Sequence, residues 1–473
     1  MSFAELCQKS NNKFIALFEL DISSKNIQWV NNGAGIWVVN FDASYPWVDA
    51  SLLDGFTSQQ IGDIGSVVCE NTLLTRVYTL LEVTSIDASF YYDASGKNVY
   101  VRLPNADSPY IHNVYLGVVY GFSTKDYIPI GVDTLYQGRI LSFPEVSFSR
   151  DPLFFGKITY SNSTINIINA DGEYDSFAQD NNIYGNPCRI KIGFEELDIS
   201  EYETIYTGYV GTVSIDEESI NITMNDKRKQ LTRAITYVEE NSNALDVITH
   251  ILASYYGLYY NSSLYNTAEW EIARLLCSNV TINMQNPEDT ISVIEQICNS
   301  VFGLFIVKGD GKFSFKVVDT LSTAISTIYS YDILNNHSIE YDSSEVISST
   351  RIGYSRDWTA SDSSAYSWIN DISQESAIHS KYKTYNQKEV KTLLINSIDA
   401  QEFSTTFLNY SKDVHGITEL VIPLKYYGIF IGDIYNAQIN RQITAMLGTI
   451  KCEVIKVGYN LNQGNIKLGL RII

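Results

Sequence analysis

Apolar and polar residues alternate with period two along much of this chain, and that pattern leaves few folds open. Cys188, Ile190 and Ile192 alternate with Arg189 and Lys191. Ile220, Ile222 and Met224 alternate with Ser219, Asn221 and Thr223. Ile466, Leu468, Leu470 and Ile472 alternate with Lys467, Gly469 and Arg471. Successive side chains of a strand point to opposite faces, so each run gives one dry face and one wet face, as in antiparallel barrels or sandwiches. Tyr outnumbers Phe by 34 to 20, and a side chain with an apolar body and a polar tip suits such half-wet faces and interfaces.

Turn chemistry joins the strands. Leu304–Lys308, then Gly309-Asp310-Gly311, then Lys312–Val317 reads as a hairpin whose Asp-Gly turn supplies positive φ. Tyr91–Val101, turning at Asp93-Ala94-Ser95-Gly96, reads as another. Helices are few and are expected over 243–256, 267–277, 287–302 and 399–410. For 287–302 the pattern predicts Asn286 as cap, Pro287 in the first turn and Glu288 and Asp289 at the positive end of the dipole. Ile291, Ile294, Cys298 and Val301 mark its inner face, with Gly303 closing it. The expected class is mainly β with some helix, an α+β chain. It divides into a β-rich 1–146, a compact β unit at 147–236, a helical and hairpin segment at 237–345 and a β unit at 346–473. Residues 357–377, rich in Ser and Asp, are expected as an exposed loop.

The 473 residues are 45% hydrophobic and 18% charged, a globular composition and not a disordered one. With 33 Lys plus Arg against 54 Asp plus Glu the net charge is −21, which argues against an electrostatic grip on nucleic acid or on an anionic membrane. No apolar run approaches the roughly 20 residues that span a bilayer. Met1–Glu5 shows no basic region followed by an apolar stretch, so no secretory signal is expected. The six cysteines, Cys7, Cys69, Cys188, Cys277, Cys298 and Cys452, form no CxxC and, with five His, no zinc spacing. They are expected as free, mostly buried thiols of a reducing compartment.

Catalytic signatures are missing: no GxSxG elbow, HExxH or Walker loop occurs. Gly309-Asp310-Gly311-Lys312 lacks phosphate-loop spacing and precedes a strand. Asn169-Ala170-Asp171-Gly172-Glu173-Tyr174-Asp175 resembles a calcium loop. Its Gly is fourth where an EF-hand needs it sixth, and Asp180 stands at the twelfth place, so an Asx-stabilised turn is expected, with calcium as the alternative. Adjacent acids at Glu195-Glu196, Glu217-Glu218 and Glu239-Glu240 point to opposite faces if they lie on strands, unlike a glycosidase pair facing across a cleft. His112, His250, His337, His379 and His415 lie beside no Cys or Ser in a recognisable motif. No catalytic, cofactor or metal residue is assigned.

Three colinear stretches resemble the tail-hub, or baseplate-hub, proteins of phages and phage-like particles. The first runs through Gly156-Lys157-Ile158-Thr159-Tyr160, Asn169–Asp175, Gly185-Asn186-Pro187-Cys188-Arg189-Ile190-Lys191-Ile192-Gly193, Tyr206-Thr207-Gly208-Tyr209-Val210-Gly211 and Ile220–Arg228. The second is the 287–302 helix with the 304–317 hairpin. The third runs from Asp399-Ala400 to Leu420-Val421-Ile422-Pro423-Leu424-Lys425 and Gly432-Asp433-Ile434. Gly62–Val67, Ser89–Asp93 and Tyr100–Pro104 are similar to the amino-terminal regions of minor tail proteins.

The resemblance implies two hub-type β-barrels, from 147–236 and 346–473, with a helical insertion between them and an N-terminal β-rich tail-attachment domain. It implies a non-enzymatic homotrimer that adapts a sixfold tail tube to a threefold tip and gives DNA a conduit. Distal tail and tail tube proteins, the tape measure protein and tip or receptor-binding proteins would be its partners. The site would be the virion tail, assembled from protein made in the host bacterial cytoplasm. The alternative is a β-rich receptor- or glycan-binding tail protein with Trp and Tyr as sugar platforms, and a third class is a cell-wall hydrolase fused to a hub.

Overall fold

The computed structural model describes residues 3–7, 14–24, 30–40, 64–69, 72–93, 98–103, 106, 114–131, 135–151, 156–157, 159, 161–175, 183–318, 323–335, 338–360, 364–439 and 448–473. The fold is β-rich α+β, as the alternation predicts. The chain forms two compact units. One holds residues 1–146, 162–227 and 308–312, and the other 147–161, 228–307 and 313–473.

The first unit is built on an eight-stranded sheet. Its order is Asn162–Ile168, Ser219–Asp226, Glu203–Ile215, Pro187–Phe194, Phe14–Ser24, Val114–Ser123, Ile64–Cys69 and Thr72–Leu73. The alternating runs keep their register. Ser219–Asp226 alternates strictly between half-buried and buried, with Ile220, Ile222 and Met224 fully enclosed. Phe14–Ser24 enters between two strands far from it in sequence, setting Phe18 opposite both Ile190 and Phe122, with the two rings 6.1 Å apart. A bulge separates Val210 from Thr212, and a Cβ on Gly211 would meet the Asn225 side-chain amide at 1.9 Å, so any larger residue there must displace Asn225.

A second sheet orders Val30–Gly33, Ile36–Asn40, Asn98–Arg102, Ser89–Asp93 and Thr75–Arg76. Its Ser89–Arg102 hairpin is the one the turn signal predicts. The short helix Leu80–Ser85 buries Val83 beside Ile36 and Val77, and Thr79 and Glu82 close its start as a capping box.

In the second unit, the helices Ala244–Tyr256, Thr267–Leu276 and Thr290–Ser300 share one core with the hairpin Gly303–Val307/Phe313–Val317. Asn243 and Asn266 cap the first two, and Gly257 ends the first with φ +66°. The third helix starts later than the sequence predicts. Glu288–Asp289 pairs as a short strand with Ala234–Ile235, and the Asp289 carboxylate accepts from the Ile291 N–H at 2.9 Å, so Asp289 and not Asn286 is the cap.

The closing sheet orders Thr327–Ile328, Ile434–Gln438, Thr449–Asn460, Asn465–Ile472, Gly416–Pro423 and Ile339–Tyr341, with Val146–Ser149 also paired to Thr449–Asn460. A three-stranded sheet places Ser349–Tyr354 between Ser367–Asp371 and Gln387–Lys391. The helix Ser397–Ser411 packs on it, joined by the Thr350–Ser404 hydroxyl contact at 2.6 Å. The expected 357–377 loop is therefore interrupted: it contains the strand Ser367–Asp371 and the start of the helix Glu375–Tyr382. Ser367–Asp371 carries too few apolar residues for the alternation to register, and the pairing partner supplies what its own sequence lacks.

Candidate interaction surface

The turn that resembles a calcium loop is organised by an arginine. Arg139 Nη1 and Nη2 donate to the two Asp171 oxygens at 2.9 and 2.7 Å and Nη2 also to Glu173, while its guanidinium lies 5.0 Å over the Tyr174 ring. This pairing holds the Asp171 carboxyl down at about 2. Asn169 accepts from the Tyr174 N–H and donates to Asp175, and Gly172 takes φ +73°. This is the Asx turn the sequence predicts, and Asp180 lies outside the described residues. Among the described residues no group of three or more His, Cys, Asp and Glu could hold a metal ion.

The adjacent acids differ in surroundings. Glu195 meets Lys125, Glu217 and Glu218 are exposed after Asp216, and Glu239 meets Tyr237 and His250. His379 stacks on Tyr385, and His112 and His337 lie outside the described residues. Gly311 turns the 303–317 hairpin at φ +81°, while the Thr207 hydroxyl donates to Gly309 O at 2.7 Å. Cys7, Cys188, Cys277, Cys298 and Cys452 are free, and all but Cys7 are buried. Burial raises the Cys277 and Cys452 thiols to about 12, far from a reactive thiolate. The Cys69 side chain lies outside the described set.

Two buried charged groupings give no signal in the sequence. The Arg228 guanidinium donates to Phe305 O at 2.7 Å and Thr159 O at 2.9 Å, tying three distant segments of the second unit together. Arg150 pairs with the fully enclosed Glu453, and the Tyr410 hydroxyl bridges them, accepting from Arg150 at 2.6 Å and donating to Glu453 at 2.8 Å. Burial pushes the Glu453 carboxyl up, and Arg150 opposes that shift. Arg471 lies 3.6 Å over the Tyr410 ring and donates to Tyr410 O. The two His415 ring nitrogens lie 2.8 Å from Ile472 O and 2.9 Å from Tyr410 O. These contacts fasten the last strand to the helix Ser397–Ser411.

Three features of the second unit face solvent. A cleft of about 250 Å³ opens beside the helix Thr267–Leu276, with Tyr259, Tyr260, His250, Asp246, Glu271 and Arg274 among its walls. Beyond it, Ile272, Leu275 and Leu276 project outward, 63, 88 and 60% exposed. On the three-stranded sheet, Arg351 is in register with Asn370 and Glu389, and Gly353 with Trp368 and Lys391, so these side chains share the outer face. Arg351 lies 4.2 Å over Trp368, Arg356 lies 4.0 Å over Trp358, and Lys391 lies 5.8 Å over Tyr366. A Cβ on Gly353 would come within 3.1 Å of both the Trp368 and Tyr366 rings, so glycine lets them lie flat on the strand. Thirdly, Tyr329 and Tyr331 stack 5.2 Å apart, with Tyr331 74% exposed beside the Asp332–Lys425 pair.

No family model and no curated protein matches the chain. Solved structures similar to it include phage tail proteins. The tail protein from Neisseria meningitidis MC58 has a TM-score of 0.45 at 12% identity, covering 70% of this chain and 91% of that one. The prophage MuSo2 43 kDa tail protein from Shewanella oneidensis has 0.44 at 12%, covering 72% and 96%. The prophage tail protein gp18 from Listeria monocytogenes EGD-e has 0.43 at 11%, covering 71% and 90%.

Proposed function

We propose that the chain is a structural, non-enzymatic hub subunit at the distal end of a phage or phage-like tail. Three copies form a ring that adapts a sixfold tube to a threefold tip and gives DNA a passage. The observation that carries this reading is the colinear motif set. Its members are turn and strand chemistry, each weak alone, and their order over most of the chain is the specific part. Partners on this reading are distal tail and tail tube proteins, the tape measure protein and tip or receptor-binding proteins, in a virion tail made in a bacterial cytoplasm. The two large sheets are its candidates for the hub barrels. Thiols held protonated by burial and turn acids engaged by arginine or lysine fit a scaffold.

The test is to mix purified chain with tail tube protein and to image the fraction by negative stain. Three copies of 53.3 kDa, about 160 kDa, around a central hole at the end of tubes is the expected result. A chain that stays monomeric and leaves tube ends bare would overturn the reading.

One observation favours the receptor- or glycan-binding alternative: the exposed Tyr329–Tyr331 stack beside Asp332 and Lys425, an aromatic surface with polar groups at its edge. A glycan array in which a sugar binds the chain and not the Tyr331→Ala variant would favour it. Silence of the array would remove it.

A further inference from the structure

The helix Thr267–Leu276 is apolar on two opposite sides. Trp270 and Ala273 enter the core, while Ile272, Leu275 and Leu276 form a ridge pointing away from it. A helix apolar all round belongs in an interior, and an exposed apolar patch rimmed by polar groups marks a contact surface. The rim here is acidic. Glu271 lies on the same helix and Asp246 on the adjoining helix Ala244–Tyr256. The one arginine among them, Arg274, is held by Asp246 at 2.8 Å and by Glu271 at 3.7 Å.

The same unit carries the opposite chemistry on its three-stranded sheet. There Trp368 and Tyr366 present flat aromatic area among Arg351, Arg356 and Lys391, with Glu389 already paired to Arg351. Of the described acids close by in sequence, Asp357 turns back on its own loop, accepting from the Thr359 N–H at 2.9 Å and hydroxyl at 2.7 Å, and Asp371 is buried, accepting from the Ser373 N–H at 3.0 Å.

We propose that these two faces meet between copies of the chain, the acidic apolar ridge of one docking head to tail on the cationic aromatic face of the next. The contact rests on the ring reading above and names the surfaces that close the ring. Ridge against ridge would set Glu271 and its acidic neighbours against their own kind, whereas ridge against sheet pairs them with arginine and lysine. Tyr, Trp and Arg are the residues that anchor interface centres, and Leu275 supplies the apolar knob opposite them. Because two different patches are joined, the contact is heterologous and repeats into a ring when the rotation closes.

The experiment is sedimentation velocity on the full chain from about 1 to 100 µM, at about 0.1 and 1 M salt. Reversible association weakened by salt is expected. Leu275→Glu and Lys391→Glu should each weaken it by about tenfold or more, with unchanged circular dichroism and melting. An equimolar mixture of the two variants should recover a two-chain species and nothing larger. One ridge and one sheet face then remain intact between them, which only a head-to-tail contact allows. Association of Leu275→Glu indistinguishable from the parent would overturn the surface and leave the ring reading standing. Loss of association in both variants with no recovery on mixing would overturn the head-to-tail geometry. A parent chain that is monomeric throughout would overturn the second copy as occupant, while the ring reading is judged separately by the mixture with tube protein.

Discussion

Lys227 ends the run Ser219–Asp226 and is held in a confined place. It is half-buried, its ammonium donates to Gly311 O at 3.3 Å, and burial lowers its pKa to about 8, with Asp310 opposing. The unfolded value is 10.5, so the unfolded chain binds more protons between about 8 and 10.5. Stability is therefore expected to rise with pH across that window, by on the order of 1 kcal/mol, and Lys227→Met should flatten the rise. Denaturant melts at pH 7 and pH 10 check this, and an equal slope in both proteins would contradict it. Glu453 makes the opposite case. Glu453→Ala removes the carboxylate facing the buried Arg150 guanidinium, and is expected to cost about 3–5 kcal/mol, while Glu453→Gln keeps an acceptor for Tyr410 and should cost less. Urea unfolding of both variants gives the ranking. Nothing in the sequence marks this pair, because its members are about 300 residues apart and each reads locally as an ordinary charged residue, Arg150 between Ser149 and Asp151 and Glu453 between Cys452 and Val454.

At the scale of elements, legibility follows from how much of an element's conformation its own residues determine. Pro187–Phe194, Ser219–Asp226 and Asn465–Ile472 are legible because half of their side chains are apolar and regularly spaced. The 303–317 hairpin is legible because its glycine-bearing turn needs positive φ. Ser367–Asp371 is not, since it is short and polar and exists as a strand through pairing with Ser349–Tyr354. The start of the Thr290–Ser300 helix is partly legible: the sequence offers Asn286 and Asp289 as caps, and pairing of Glu288–Asp289 with Ala234–Ile235 decides for Asp289. Asp289→Ala is accordingly expected to cost about 1 kcal/mol, and Asn286→Ala only a few tenths. Equal costs in thermal melts would count against Asp289 as the cap. The outward ridge of Thr267–Leu276 is present in the sequence as apolar residues on two opposite sides of the helix, but only the core contacts of Trp270 and Ala273 reveal which side stays uncovered.

For the whole molecule, charge is the property that a local contact cannot override. A chain of −21 repels the phosphate backbone at long range, and the cations Arg351, Arg356 and Lys391 are too few to reverse that field, with Glu389 among them. Affinity for DNA grows with the number of phosphates neutralised, so a face of three cations gives at most a weak, salt-sensitive contact. On the proposed reading, a wall of this kind lets DNA pass where a basic one would hold it. Duplex and single-stranded DNA are therefore expected to run unretarded with about 10 µM chain at about 0.15 M salt. Retention with a steep salt dependence would be incompatible with a passive conduit. The same charge bears on assembly. Net repulsion between copies disfavours random association, so on the proposed reading the same charge favours a directional contact in which opposite patches are brought into register.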